Sequence, residues 1–390
     1  MLLSDQTLNI TPPPHLIFGV NAIRHLPEQI KLLGRTRALI VTDAGLVRAG
    51  LAQKVQAVLS EAKIESLNFE GVQPNPTIDN ITAGSACLSG LDLDQIVVVA
   101  LGGGSSMDTA KGIALHATNG GEVVNLDYRV SLPFPALPII AIPTTAGTGS
   151  EQNSYGVITN PHTQRRFYVG NDSAQPKVAI LDPELTIKLP PAATAATGMD
   201  VLSHALESLA SRNANPYADA INLEVIHKVT HWLPLAYADG TQLEARAQML
   251  LASSMVALAY RSGTGMGLAH AIGHALGGRL NVAHGMALSI VLGDVIRFNL
   301  AANALPYARA AWAMGVADPA RSAIENAEAA AATVDGLAQV VGMKRPLASL
   351  GVTSDVIDLL VTDALEDVVL YNNPIQPTAE QVRAIIVKNC

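Results

Sequence analysis

Ile96-Val97-Val98-Val99-Ala100-Leu101 runs without a break into Gly102-Gly103-Gly104-Ser105-Ser106-Met107-Asp108-Thr109-Ala110-Lys111. An unbroken apolar run, mostly β-branched, suits a strand buried on both faces, as in a parallel sheet. The three glycines permit a tight turn, and the residues after them have helical spacing. A strand that empties through glycines into a helix brings backbone N–H groups and the positive end of a helix dipole close to a phosphate. The run is neither G-x-G-x-x-G nor a Walker loop. By itself, then, it fits a phosphate cradle or a plain connection.

The same alternation surrounds it. Ala38-Leu39-Ile40-Val41, Leu137-Pro138-Ile139-Ile140-Ala141-Ile142 and Val178-Ala179-Ile180-Leu181 read as further strands, with helical patterns around 46–62 and 106–117. Strands separated by helices predict βαβ units and an α/β domain. A second small turn, Pro143-Thr144-Thr145-Ala146-Gly147-Thr148-Gly149-Ser150-Glu151, follows the strand at 137–142. Turns after successive parallel strands share the carboxyl edge of the sheet, where open α/β folds bind ligands. Two such turns together favour a phosphate site more than either alone. Asp43, directly after the strand at 38–42, is placed to accept from ribose hydroxyls and to repel a 2′-phosphate, which favours NAD over NADP. The same residue serves equally well as the N-cap of the next helix.

From Pro190-Pro191 onward the texture changes to long Ala- and Leu-rich segments with helical spacing at 192–211, 216–236, 242–260, 264–277 and 302–316. The expectation is an all-helical second domain, with residues 1–187 and 188–390 as the two domains. A chain of 390 residues exceeds the roughly 250–300 at which one core stops growing. Apolar residues make up 49% and charged residues 15% of the chain, which predicts a globular protein without long disordered tracts. A net charge of -8 without like-charge runs gives no footprint for nucleic acid or an anionic membrane. Cys87 and Cys390 are the only cysteines, so a disulfide framework is not expected and a cytoplasmic setting is. The opening Met-Leu-Leu-Ser-Asp-Gln lacks the character of a secretory leader. The uncharged stretch after Val130 carries Pro133, Pro135, Pro138 and Pro143, which argue against a spanning helix.

His270, His274 and His284 fall close together in Gly267-Leu-Ala-His270-Ala-Ile-Gly-His274 and Val282-Ala283-His284. Positions 270 and 274 share a helical face, and so do Asp200 and His204 upstream. Each pair alone is ordinary, either as a surface pair or as a satisfied core residue. Two such pairs on apolar, Gly- and Ala-rich helices are harder to leave unexplained, because buried ionisable groups are costly unless paired or coordinated. Imidazoles and a carboxylate without thiolate suit Fe2+ or Zn2+.

At this point the chain resembles the iron-containing (group III) alcohol dehydrogenases over nearly its whole length. The resemblance rests on Thr42-Asp43-Ala44-Gly45-Leu46, Pro74-Asn75-Pro76-Thr77, the 102–111 and 144–151 turns, the Ala195–Asp200–His204 helix, and His270 through His284. It implies an α/β dinucleotide-binding domain followed by an all-α domain, in the dehydroquinate synthase-like fold, with the active site in the cleft between them. It also implies a hydride passed between a small alcohol or aldehyde and NAD. By position it implies Asp200, His204, His270 and His284 as metal ligands, with Fe2+ preferred and Zn2+ as the alternative. His274 and Asp108 are its candidate catalytic groups, His274 handling the proton. Asp43, Asn75, Gly102, Gly103, Gly104, Ser105, Ser106, Asp108, Thr144, Thr145 and Thr148 match positions that contact the cofactor. Homodimers or larger homo-oligomers are common among such enzymes.

The chain departs from the family pattern at Arg261, where relatives usually have Phe, at Tyr155 on the implied pocket wall, and at Arg166, which replaces a frequent Lys near the cofactor. A guanidinium in an apolar pocket is well shaped to grip an anion, so an anionic or polar substrate such as a hydroxy acid is one expectation. Pairing of Arg261 with a nearby carboxylate is the other. Similar architecture also serves hydroxyacid–oxoacid transhydrogenases, hydroxy-acid dehydrogenases, maleylacetate reductases and metal-dependent lyases that use NAD transiently. The complete ligand set counts against the reductase and against a binding protein that has lost catalysis.

Overall fold

The computed structural model describes residue 10, residues 12–163 and residues 165–390. The opening residues read above for a leader, up to residue 9, lie outside the described residues. The chain divides into compact units at Leu189 and Pro190.

The first unit carries strands β1 (His15–Phe18), β2 (Arg37–Val41), β3 (Glu65–Phe69), β4 (Ile96–Gly102), β5 (Ile139–Pro143), β6 (Tyr155–Asn160), β7 (Arg165–Gly170) and β8 (Val178–Leu181). Its helices are α1 (Leu26–Leu32), α2 (Ala44–Arg48), α3 (Leu51–Glu61), α4 (Ile78–Ala86) and α5 (Gly104–Asn119). Six strands form a parallel sheet in the order β1-β8-β5-β4-β2-β3. Every residue of β4 is buried, as its unbroken apolar run requires. Val97, Val99 and Leu101 enter one core with Leu26, Ile30, Val55 and Leu59 of α1 and α3, while Ile96, Val98 and Ala100 enter another with Met107, Ala110 and Ile113 of α5. The two-residue period of a strand divides its side chains between two helical layers. β6 and β7 form a separate antiparallel hairpin.

The chain runs from β2 out to β3 and then crosses to β4 on the other side of β2. The reversal of strand order lies between β2 and β4, whose carboxyl ends release Asp43 and Gly102. That edge is the ligand-binding position of an open parallel sheet.

The second unit holds α6 (Pro191–Ala210), α7 (Pro216–Ala238), α8 (Leu243–Ala259), α9 (Leu268–Leu280), α10 (His284–Asn299), α11 (Leu305–Ala313), α12 (Ala323–Val340), α13 (Ser354–Glu366) and α14 (Ala379–Lys388), with no strand among its described residues. The fold class is therefore the one expected: a parallel α/β unit followed by an all-α unit. Three expected helices need correction. The pattern at 46–62 is two helices, divided at Gly50, whose φ of 80° is left-handed. The one at 264–277 begins only at Leu268, because a π-turn over Tyr260–Thr264 and the left-handed Gly263 and Gly265 precede it. The one at 302–316 shrinks to Leu305–Ala313, with Pro306 in its first turn. No helix among the described residues is long and apolar enough to cross a membrane.

Candidate active site

At the carboxyl edge of the sheet, β4 turns into α5 through Gly102, whose φ of 148° favours glycine. A Cβ on Gly103 would meet Thr145 Oγ1 at 3.0 Å, and one on Gly104 would meet Thr148 Cγ2 at 2.8 Å. Thr144 N donates to Gly102 O at 3.0 Å. The two small turns thus pack directly on each other, and the missing side chains are what let them. The N-cap of α5 is Gly103, which has no side chain to cap the first turn, and helix-start amides of that kind suit an anion. Ser105 and Ser106 lie in that first turn, with Ser106 buried.

Asp43 does cap α2: its Oδ1 accepts from Gly45 N at 2.7 Å and Leu46 N at 3.1 Å. Oδ2 takes no part in that cap. Asn75, at a positive φ of 54°, accepts from Arg166 at 2.9 Å through Oδ1. Thr159 N donates to Pro76 O at 2.8 Å, so the β6–β7 hairpin is fastened beside Asn75 and brings Arg166 to it.

Asp108 is one helical turn beyond the glycines, and both its oxygens are engaged. Oδ1 accepts from Ser150 Oγ at 2.8 Å and Oδ2 from Val157 N at 2.9 Å. Burial raises its carboxyl above the ordinary value, and Lys111 opposes that shift. Lys111, fully buried, donates to Ser150 O, Ser150 Oγ, Asn153 Oδ1 and Tyr155 O at 2.6–2.8 Å. Together the two residues tie the second turn and the start of β6 to α5.

In the helical unit, α6 presents Asp200, His204 and Glu207 at helical spacing, α9 presents His270 and His274, and His284 opens α10. Three imidazole nitrogens surround one carboxylate oxygen: Asp200 Oδ1 lies 3.5 Å from His204 Nδ1, 3.7 Å from His270 Nε2 and 3.6 Å from His284 Nε2. Ligands held at about 2.1 Å around a tetrahedral metal stand about 3.4 Å apart, so these spacings fit a coordination shell. Asp200 Oδ1, His204 Nδ1 and His270 Nε2 are buried without a hydrogen-bond partner, a costly arrangement that a cation resolves. Ligand atoms of Asp200, His270 and His284 all lie within 4.8 Å of one another. His204 is outside that mutual set; its ring packs on Tyr260 at 5.1 Å and on His270 at 4.5 Å.

Burial would raise the Asp200 carboxyl, yet the imidazoles of His204, His284 and His270 hold it well below the usual carboxylate range. Burial presses His204 down to about 4 and His284 well below its ordinary value, which keeps their lone pairs free at neutral pH. Burial pushes His270 the same way, but Glu207 and Asp200 overcome it and raise the imidazole to about 9.

Two carboxylates missed in the sequence stand behind this face. Glu207 accepts from Gly267 N at 2.9 Å and Ala269 N at 2.6 Å, and its Oε2 lies 2.5 Å from His270 Nδ1. Asp367 Oδ2 lies 2.6 Å from His274 Nδ1. Glu207 had a usable signal, because it falls seven residues after Asp200 on the same helical face. Asp367 had none that a single sequence displays. Of the departures noted, Tyr155 opens β6 in the α/β unit, 43% exposed and edge-on to Tyr128. Arg261 sits half-buried in the π-turn of the helical unit, immediately after Tyr260.

Comparison with known proteins gives the family and the fold. Residues 13–183 match the family profile described as iron-containing alcohol dehydrogenase, and residues 194–390 match the C-terminal domain of the same family. The chain is 36% identical over 381 residues to the NAD-dependent methanol dehydrogenase of Bacillus methanolicus, covering 98% of this chain and 99% of the relative. It is 38% identical over 385 residues to the choline dehydrogenase of Bacillus subtilis (strain 168), covering 97% and 94%. A crystal structure of 1,3-propanediol oxidoreductase superposes with a TM-score of 0.93 at 36% identity, over 99% of this chain and all (100%) of that one.

Proposed function

Because the chain belongs to the iron-containing alcohol dehydrogenase family, we propose that Asp200, His204, His270 and His284 hold a divalent metal, Fe2+ ahead of Zn2+, and that the carboxyl edge of the sheet holds NAD. The reaction is that of an alcohol dehydrogenase and aldehyde reductase. The carrying observation is the convergence of three imidazole nitrogens, at 3.5–3.7 Å, on the one buried oxygen of Asp200 that lacks a hydrogen bond. When bound, the metal supplies Lewis acidity to the alcohol oxygen and NAD takes up the hydride.

The remaining work falls to the chain's own residues. Gly102, Gly103 and Gly104 let the diphosphate approach the backbone, and the amides at the head of α5, with Ser105, Ser106, Thr144, Thr145 and Thr148, donate to it. Asp43 Oδ2 accepts from a ribose. Asn75, after β3, and Arg166 of the β6–β7 hairpin, which donates to it at 2.9 Å, are further candidates for holding the cofactor. Asp108 acts by holding the Ser150 turn, since both its oxygens are taken, and so serves as a positioning residue. His274, held through Nδ1 by Asp367, keeps Nε2 for the alcohol proton.

Arg261 narrows the substrate class. It follows Tyr260, whose ring packs on His204, so a guanidinium enters the chain one residue from a side chain touching the proposed ligand set. An alcohol bearing a carboxylate or another polar group is the class this favours, with Tyr155 as a second pocket residue. The two described cysteines are both free, which supports a reducing, cytoplasmic setting. Leu16 and Phe18 stay exposed on the edge strand β1, which supports a homodimer or larger homo-oligomer.

The test loads the protein anaerobically with Fe2+ and follows NADH formed from NAD with primary alcohols and with hydroxy acids of matched length. Stoichiometric NADH identifies the dehydrogenase, and Arg261→Phe selectively slowing the hydroxy acids identifies the anion grip. An unchanged substrate ranking in that variant would remove Arg261 from the pocket. Turnover that leaves no net NADH would replace the reading with a transhydrogenase or a lyase using NAD transiently.

A further inference from the structure

Glu207 is buried in the last turns of α6, and both its carboxylate oxygens meet the start of α9. Its Oε2 meets His270 Nδ1 at 2.5 Å and accepts from Gly267 N at 2.9 Å, while Oε1 accepts from Ala269 N at 2.6 Å. The same helix carries Asp200 and His204. One carboxylate therefore joins the helix holding two of the proposed ligands to the imidazole and the first turn of the helix holding a third.

We infer that Glu207 is a positioning residue for the metal: it locks His270 with Nδ1 as donor and Nε2 turned to Asp200, and thereby sets metal affinity. The inference rests on the proposed metal site. Its physical basis is that an imidazole bound to a carboxylate through one nitrogen has its tautomer and ring orientation fixed, and its other nitrogen made a better ligand. Nε2 of His270 points to Asp200 Oδ1 at 3.7 Å and is buried without a partner, in the position where a bound cation would take the place of its proton. The competing explanation is that Glu207 only caps α9. Asn373 separates the two, because its Oδ1 accepts from Leu268 N at 3.1 Å in the same first turn without touching a ligand histidine.

The experiment uses the full chain stripped of metal and measures Zn2+ affinity against a chromophoric chelator, repeated with Fe2+ under anaerobic conditions, together with the thermal midpoint of the stripped protein. Glu207→Gln keeps the shape but must turn an N–H toward one of its three donors. It is expected to weaken metal binding by about ten- to a hundredfold. Asn373→Ala is expected to lower the thermal midpoint and keep metal affinity within about twofold. Should Glu207→Gln not fold, Glu207→Asp reads the same quantity, since it keeps the charge but shortens the reach to His270. Unchanged affinity in the folded Glu207 variant, or equal loss in the Asn373 variant, overturns the inference. Failure of the unmodified chain to bind metal overturns the proposed metal site instead.

Discussion

Asp367 and His274 are joined across 93 residues by a contact of 2.6 Å between Oδ2 and Nδ1. Asp367 lies just past α13, and its Oδ1 accepts from Val369 N at 3.0 Å, so the turn after α13 presents the other oxygen to α9. Burial would raise the Asp367 carboxyl, but His274 holds it below the ordinary value. A charged acceptor on Nδ1 makes Nε2 the nitrogen without a proton. In the proposed reaction that is the side left for the alcohol proton.

Asp367→Asn tests this without removing the turn. The amide oxygen can still accept from Val369, while its N–H2 faces Nδ1 and demands the opposite tautomer. The expected result is a fall in kcat on the order of 10², with KM for NAD and bound metal unchanged. Steady-state kinetics alongside metal analysis decide it, and an unaltered kcat would reduce the pair to an anchor for the C-terminal turns.

Gly104→Ala addresses the cofactor edge alone. The added methyl would meet Thr148 Cγ2 at 2.8 Å, so the two turns must separate where the diphosphate is proposed to lie. Overpacking of this kind costs about 1–3 kcal/mol, which, if it falls on the bound state, corresponds to roughly five- to 150-fold weaker NAD binding. Titration of the NADH fluorescence should show that loss, and Zn2+ affinity should not change.

Removing the metal should cost stability as well as activity. An ion that binds only the folded chain adds about 2.7 kcal/mol when present at a hundred times its Kd. The thermal midpoint should therefore rise with added Zn2+ in the unmodified chain and stay level in Asp200→Asn. A parallel rise in that variant would place the ion elsewhere.

The strands, the glycine turn and the clustering of four proposed site residues were legible because each is announced within a few neighbours: β-branched runs abutting glycines, or an acid and histidines four apart on an apolar helix. Asp367 was not, because its meaning lies in a partner 93 residues away; Glu207 offered only its place seven residues after Asp200 on one helical face, while its partner His270 lies 63 residues on. The β6–β7 hairpin lies between. Tyr155-Gly-Val-Ile-Thr-Asn160 and Arg165-Arg-Phe-Tyr-Val-Gly170 flank Asn160-Pro161, a turn signal that was available. The late start of α9 depends on left-handed Gly263 and Gly265, which helical spacing alone does not reveal.

The C-terminal helix should show an acid-sensitive link to the core. Asp294 of α10 accepts from Lys388 Nζ at 2.7 Å and Asn389 Nδ2 at 2.9 Å. Burial would raise its carboxyl, but Lys388 and Asn389 hold it below the ordinary value. A depressed folded-state value stabilises the protein above the unfolded value of about 3.9 and is lost as pH falls through the folded one. Asp294→Asn should therefore cost about 1–3 kcal/mol at neutral pH, and urea melts should show the gap to the unmodified chain closing below about pH 4.

Asp43 has two oxygens and, on this reading, two tasks. Oδ1 caps α2 through Gly45 N and Leu46 N, while Oδ2 and the charge select the cofactor. Asp43→Asn separates them, since the amide oxygen can keep the cap while the charge disappears. Ala removes both, at about 1 kcal/mol for the cap. A unit charge about 4 Å from a phosphate is worth roughly 1–4 kcal/mol at the effective dielectrics of water and protein surfaces. Losing it should raise the NADP-to-NAD ratio of kcat/KM about fivefold or more. The Asn variant should do this at an unchanged thermal midpoint, and the Ala variant with a lowered one. If the ratio stays fixed in both while Ala alone melts earlier, the carboxylate is a cap and nothing more, and discrimination against the 2′-phosphate has to come from another residue on the same edge.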